Sequence, residues 1–322
     1  MTAIVLERAR TLREYRLEVP EAEYGHLLIR VEYGCVLDRD LDAFYHGTGK
    51  MPRVFGSALV GTVVDGTRVD GTGSARIIPF GGGAGSPLQA GTRVMVFFDG
   101  THDGALREYV VVPESRCHVL PAGIPEDRLP LLPDAAIAAG VLARLGVTSG
   151  HTLLVLGARA AGVVLSVVAQ WMGVQVVLAD PSQPRLHQAQ ELGIQHTINP
   201  ITASLPEELE WFTGGRVDFV VDTSGDPEFM PAAIAAMPPG SVLGLTVPVD
   251  YPFSFTDIVE KDIGVQSLMD VEPNSAVAVE LADSVDLNRL ISRSVPLIEM
   301  PAVVPVVIRE RGTFLRLVGY TS

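Results

Sequence analysis

The rhythm of apolar positions changes about two-fifths of the way along the chain. Up to residue 125, apolar residues come in short runs cut by Gly and Pro: HLLIRVEYG (26–34), ALVGTVVDG (58–66), GTRVMVFFDG (91–100) and LREYVVVPES (106–115). Alternation or β-branched enrichment between turn residues predicts strands, so this is expected to be an all-β region. From about residue 130, strands alternate with helical stretches. TLLVLG (152–157), VQVVLAD (174–180), VDFVVDT (217–223), SVLGLTV (241–247) and GVQSLM (264–269) predict a parallel sheet with crossover helices. Between the first two, AAGVVLSVVAQWMG is apolar nearly all round, as a helix wedged against a sheet must be. The last stretch, PLIEMPAVVPVVIRERGTFLRLVGY, returns to short pieces read as β. The expected class is α/β: a β-rich domain of residues 1–125 and 290–322, and a doubly wound parallel sheet over 126–289.

At 322 residues, with 47% hydrophobic and 19% charged, the chain is sized for two packed domains, which excludes disorder, collagen and coiled coil. The 24 basic residues against 38 acidic give −14, and Lys occurs only at 50 and 261. A phosphate backbone or an anionic membrane surface would meet a repulsive field, so neither nucleic acid nor membrane is expected as a partner. Cys35 and Cys117 cannot build a disulfide framework or a Cys-rich zinc knuckle and read as reduced thiols. Glu7, Arg8, Arg10 and Arg13 stand where a signal peptide needs an apolar core, so a cytoplasmic protein is expected. The Gly-rich segment 65–91 reads as an excursion between strands. Gly81 to Gly83 precede no helical pattern and are not taken as a phosphate loop.

Gly157-Ala158-Arg159-Ala160-Ala161-Gly162 sits where a strand ends and a helix begins, and Asp180 follows at the tip of the next strand. A tight turn, a helix N-terminus aimed at a diphosphate and a carboxylate for the ribose hydroxyls form a dinucleotide-binding arrangement. Asp180 would repel a 2′-phosphate, which favours NAD over NADP, and Arg185 is placed beside the adenine. The strand tips at Thr223 and Val247 complete the expected contacts. The middle position of the fingerprint, Gly in G-x-G-x-x-G, is Arg159 here. Three outcomes are open: the side chain crowds the phosphates, its guanidinium clamps them, or the site is degenerate and Arg159 merely sits at a surface turn.

At this point the chain resembles the medium-chain dehydrogenase/reductase superfamily, the alcohol dehydrogenase-like proteins with a GroES-like catalytic domain and a Rossmann domain. The carriers are Gly34-Cys35-Val36-Leu37-Asp38-Arg39-Asp40-Leu41, Gly56-Ser57-Ala58, Gly91-Thr92-Arg93-Val94, Gly104-Ala105-Leu106-Arg107-Glu108-Tyr109, Gly146-Val147-Thr148-Ser149-Gly150 and the closing SVPLIEMPAVV. The resemblance implies that the ligand positions of zinc-dependent members fall on Leu37, Ser57 and a residue near Pro133, so no zinc is expected. Cys35 is expected in the core. The resemblance is then to the zinc-independent quinone and enoyl reductases, although Asp42 replaces their usual Tyr. It also implies a homodimer joined through the SVLGLTV and GVQSLM side of the Rossmann sheet.

The candidate catalytic set is Asp42, Arg39, Tyr45, His46 and Ser57, with Asp40 expected to be structural. Arg39 can orient an anionic or carbonyl substrate, and Asp42, Tyr45 or His46 can carry a proton. The remaining histidines, 26, 102, 118, 151, 187 and 196, lack metal-ligand spacing, Trp171 and Trp211 read as packing, and the acidic run 206–210 reads as a solvated helix start. The leading expectation is a zinc-independent NAD(H)-dependent oxidoreductase acting on a small organic carbonyl, enone or alcohol in the interdomain cleft, in specialised biosynthesis. A redox-neutral cyclase, lyase or isomerase with vestigial cofactor binding, and a non-catalytic binding protein, are the alternatives.

Overall fold

The computed structural model describes every residue except 24, 65–67, 70–74, 77–87, 100–103, 249–254, 311–315 and 322, and only the backbone of 68–69 and 75–76. Most of the Gly-rich stretch, Gly81 to Gly83 and His102 lie outside the described residues.

The described residues divide into two compact units, one within residues 1–133, 282–310 and 316–321 and the other within 134–281. In the first unit come β1 (Thr2–Arg8), β2 (Thr11–Arg16), β3 (His26–Val36), α1 (Asp38–His46), β4 (Arg53–Val54), β5 (Ala58–Val63), β6 (Arg68–Val69), β7 (Ala75–Arg76), β8 (Arg93–Phe97), β9 (Tyr109–Pro113) and β10 (Cys117–Val119). The second unit holds α2 (Leu132–Leu145), β11 (Thr152–Leu156), α3 (Ala160–Trp171), β12 (Gln175–Ala179), α4 (Gln183–Glu191), β13 (His196–Ile198), α5 (Leu205–Thr213) and β14 (Phe219–Asp222). It continues with α6 (Met230–Ala236), β15 (Val242–Leu245), α7 (Phe255–Glu260), β16 (Gly264–Ser267) and α8 (Ser275–Ser284), after which β17 (Ile291–Pro296), α9 (Met300–Arg309) and β18 (Arg316–Tyr320) return to the first unit.

In the first unit β2-β1-β4 form a small sheet, and the larger one runs β10-β8-β5-β3-β18-β17 with β9 also paired to β3. Its core interdigitates Leu27, Ile29 and Val31 of β3 with Leu59, Val63, Val94 and Val96, the inward positions of an alternating pattern. Two helices interrupt what the sequence reads as β. The first is α1, whose buried residues are Asp40, Leu41, Ala43 and Phe44. The second is α9, which buries Met300, Val304, Val307 and Ile308. That spacing is one helical stripe, and burying it outweighs the strand preference of the valines. The 3-10 segment Glu126–Leu131, assigned from the sequence to the nucleotide domain, belongs to the first unit, where Asn288 Nδ2 donates to Asp127 Oδ2 at 2.8 Å and Arg128 Nη1 to Asp286 Oδ1 at 3.0 Å.

The second unit is a six-stranded parallel sheet in the order β13-β12-β11-β14-β15-β16. The order reverses between β12 and β14, on either side of β11, which is where such sheets bind ligands at their carboxyl ends. Helix α3 buries nine of its residues against this sheet, in line with its uninterrupted apolar run. Trp211 departs from its expected packing role: it is 78% exposed and touches the ring of Phe212 edge-on.

Candidate functional site

Two constellations hold the residues singled out from the sequence, one in each unit. In the first unit, β3 ends at Val36 and Leu37 becomes the N-cap of α1. The carboxylate of Asp40 accepts the backbone N–H of Leu37 at 2.9 Å and the hydroxyl of Ser57 at 2.6 Å. Asp40 and Ser57 are 1% and 0% exposed, and this pair holds the start of α1 in place. Burial pushes the Asp40 carboxyl up, against the opposing pull of the Arg39 guanidinium, the Ser57 and Leu37 hydrogen bonds and, more weakly, Arg53. Arg53, buried on β4, leaves Nε and Nη1 without a hydrogen bond. It was missed at the sequence level, where the only sign was a charge set between Pro52 and the apolar pair Val54-Phe55.

Arg39, on the first turn of α1, donates from Nη2 to the carbonyl of Phe98 at 2.6 Å. A guanidinium has five N–H donors, so this bond fixes the group while leaving others to direct. Asp42 lies three residues along and therefore on the same helix face as Arg39. Tyr45 and His46 end the helix, their rings edge-on at 4.9 Å. The Tyr45 ring lies under the Arg10 guanidinium, 4.1 Å from its centroid, so it faces the β1–β2 turn.

The zinc-ligand positions implied by the resemblance lie at the start of α1, at the start of β5 and near the start of α2. Leu37 is buried and carries no side-chain ligand atom, the Ser57 hydroxyl is spent on Asp40, and the third position falls near Pro133, which is buried and also carries none. These residues do not fit a zinc ion. Among the described residues no three His, Cys, Asp or Glu side chains form a group able to hold a metal. Cys35 is fully buried, its thiol donating to the Pro130 carbonyl at 3.2 Å. Burial raises Cys117 to about 12, which leaves it an inert thiol at neutral pH.

In the second unit, Gly157 turns the chain out of β11 at φ +101°, and Gly162 passes so close that a Cβ there would lie 1.8 Å from the Gly157 carbonyl oxygen. Thr223 Oγ1, 2.9 Å from the Leu156 carbonyl and 3.2 Å from that of Gly157, ties the turn to the tip of β14. Arg159 is the N-cap of α3, and its side chain gives no capping hydrogen bond to the amides that follow, Ala160, Ala161 and Gly162. Asp180, 2% exposed, accepts from the Ala158 N–H at 2.7 Å and the Ser182 N–H at 2.8 Å, and Arg185 approaches it at 3.4 Å. Val247 lies two residues past the end of β15, its methyl 3.2 Å from where a Cβ on Gly225 would be. The turn, the helix start and the buried carboxylate fit a dinucleotide, with Arg159 the departure.

The sequence reading passed over Asp222. It is fully buried at the end of β14 and accepts from Ser224 N–H (2.8 Å), Ser224 Oγ (2.7 Å) and Gly225 N–H (3.2 Å). Its signal was the Asp-Thr-Ser-Gly-Asp run after a β-branched strand, a side-chain-stabilised turn. Burial raises its carboxyl against those hydrogen bonds.

Comparison with known proteins adds the following. The family profile "Alcohol dehydrogenase GroES-like domain" matches residues 23–122 and "Zinc-binding dehydrogenase" matches residues 160–277. An uncharacterized zinc-type alcohol dehydrogenase-like protein of Haemophilus influenzae is 30% identical over 251 residues, 69% of either chain. Sorbitol dehydrogenase of Gallus gallus is 27% identical over 266 residues, 76% of this chain and 74% of that one. Of solved structures, an Escherichia coli oxidoreductase/dehydrogenase of unknown specificity, involved in membrane biogenesis, has a TM-score of 0.85 at 19% identity, covering 100% of this chain and 99% of that one. 2R,3R-butanediol dehydrogenase from Bacillus subtilis has a TM-score of 0.83 at 18% identity, with the same coverage. At such identities the likeness establishes the fold.

Proposed function

The chain belongs to the medium-chain dehydrogenase/reductase (alcohol dehydrogenase-like) superfamily, a superfamily of oxidoreductases, and from that premise we propose that it is a zinc-independent, NAD(H)-dependent oxidoreductase of small carbonyl, enone or alcohol substrates. The reading is supported by one contrast: the dinucleotide turn keeps its geometry, while the positions that the resemblance gives to zinc ligands fall on Leu37, Ser57 and a residue near Pro133.

NAD, when bound, supplies the nicotinamide C4 as hydride donor or acceptor. The start of α3 binds its diphosphate and Asp180 its adenosine ribose. Arg39, fixed by the Phe98 carbonyl, directs its remaining N–H groups at the substrate oxygen, the electrostatic role a metal fills in zinc-dependent enzymes. Asp42 gives the proton to that oxygen in reduction and takes it in oxidation. Ser57 and Asp40 hold the α1 start that aims both groups.

A second, redox-neutral reading draws on one observation: Asp180 is already satisfied by Ala158, Ser182 and Arg185. Titration of NADH followed by its fluorescence separates the two. Failure to bind at about millimolar NADH ends the redox proposal. Recovery of binding in Arg159→Gly then assigns the failure to crowding. In an enzyme that binds NADH, Arg39→Met is expected to cut turnover by about 10²–10³ with NADH affinity unchanged. Unchanged turnover removes Arg39 from the chemistry.

A further inference from the structure

We propose that a cavity in the first unit, at the junction of β3, β8 and β18, binds a neutral polyhydroxylated ligand of about one sugar ring, at a site separate from Arg39 and Asp42. The cavity measures about 470 Å³, within the usual range of about 300–1,000 Å³ for small-molecule sites. Arg30, Glu32, Tyr33, Arg93, Glu126 and Tyr320 give it its chemistry.

A backbone irregularity builds it. On β3, Val31 opposes Gly61 of β5 while Tyr33 opposes Val60, so Glu32 is an extra residue, a β-bulge. Strict alternation would send Tyr33 to the face opposite Arg30 and Glu32, but the bulge returns it to theirs. Tyr320 of β18 pairs directly with Tyr33 and shares its face. Bulges of this kind re-aim side chains, and here five polar or aromatic groups from three strands converge with Glu126.

The charges decide the ligand class. Arg93 holds both carboxylates, with Nε 3.0 Å from Glu32 and Nη2 2.8 Å from Glu126, and Arg30 brings the lining to formal neutrality. An anion would meet the two glutamates and a cation the two arginines. What the lining offers instead is interleaved donors and acceptors: guanidinium N–H groups, carboxylate oxygens, the Ser294 hydroxyl and two phenols. Each hydroxyl of a polyol both donates and accepts, which matches such a lining, and its C–H face packs on a tyrosine ring. Burial and the nearby Glu126 and Glu32 raise the Tyr33 phenol, which keeps it a donor at neutral pH.

The inference stands independently of the hydride-transfer reading, and its test uses no cofactor. Saturation-transfer NMR on the full chain would use the methyl α-D-glycosides of glucose, galactose and mannose, and xylitol, with benzoate as the anionic reference. At least one neutral probe is expected to receive saturation. Tyr320→Ala and Arg30→Gln, each with an unchanged melting temperature, should weaken it about fivefold or more. The proposal is overturned by silence from all four neutral probes, by signals undiminished in both variants, or by benzoate binding more tightly than every neutral probe.

Discussion

Replacing Asp180 by Asn tests whether the carboxylate organises the nucleotide turn, and the structure sets the magnitude. Two backbone amides point at two different oxygens, Ala158 N–H at Oδ2 (2.7 Å) and Ser182 N–H at Oδ1 (2.8 Å), in a residue 2% exposed. An Asn side chain has one oxygen and one NH₂, so it satisfies one amide and turns a donor toward the other. A hydrogen bond to a charged acceptor contributes about 1.5–3 kcal/mol, and stranding a buried donor costs about 1–3 kcal/mol. The two figures partly count the same loss, so about 2–4 kcal/mol is expected, with a smaller further loss from the Arg185 ion pair. In a domain of this size each kcal/mol moves the midpoint about 2–4 °C, so calorimetry should show a drop of about 4–16 °C. NADH fluorescence titration on the same protein should show weakened binding, since the ribose acceptor and the turn are lost together. A variant that melts within about 1 °C of the parent and binds NADH equally well would refute the assignment.

Lys261 donates to the carbonyls of Ile234 (3.0 Å), Ala235 (2.8 Å) and Met237 (3.2 Å) and so closes the C-terminus of α6. Lys261→Met should cost about 1.5–3 kcal/mol in denaturant unfolding, and a cost near zero would show the ammonium to be solvent-held. Asp222, whose carboxyl is raised by burial, binds its proton more tightly folded than unfolded. Its contribution to stability is therefore complete below the unfolded value of 3.8 and is lost as pH rises through the raised folded value. Asp222→Asn should gain on the parent between about pH 3 and pH 7 in chemical unfolding, and a gap moving the other way contradicts the burial argument. Strand β16 is a sheet edge with Val265 49% exposed, and we propose that it pairs with a second copy to form a homodimer. Light scattering should give about twice 34.4 kDa, falling to the monomer in Val265→Lys, and a monomeric parent would end the idea.

The sheet of the second unit was legible because each strand announces itself locally. TLLVLG, VQVVLAD and VDFVVDT are short apolar runs with β-branched residues, stopped by Gly, Asp or Thr, and they became β11, β12 and β14. The three-residue strand β13 carries too little sequence to give such a signal. Helix α1 was hidden because its inward face includes the charged Asp40, whose burial makes sense only once Ser57 and the Leu37 amide are known to meet it. Those partners lie 17 and 3 residues away, and nothing in the local pattern brings the first of them to the helix. In α9 the conflict lay within one segment, where four valines argued for strand and Pro305 against a helix interior, while the stripe Met300, Val304, Val307 and Ile308 argued for helix. Which prevails depends on the neighbouring surface, and that is a tertiary fact.

The candidate site divides by the same reasoning. Gly157 and Gly162 are demanded by the fold, one by φ +101° and the other by a carbonyl 1.8 Å from any Cβ, and both are present. Arg159 sits at φ −79° and ψ 178°, extended backbone that any residue adopts. A glycine at that position therefore does nothing for the turn itself, and its value is room for a ligand's phosphates. The departure from the fingerprint falls where the backbone conformation is indifferent to the residue and binding is not. Arg159→Gly should accordingly move NADH affinity by more than it moves the stability of the fold, read as a change in binding free energy larger than the change in unfolding free energy. A large loss of stability would mean that the arginine holds the turn, and the separation of folding from binding at this loop would have to be abandoned.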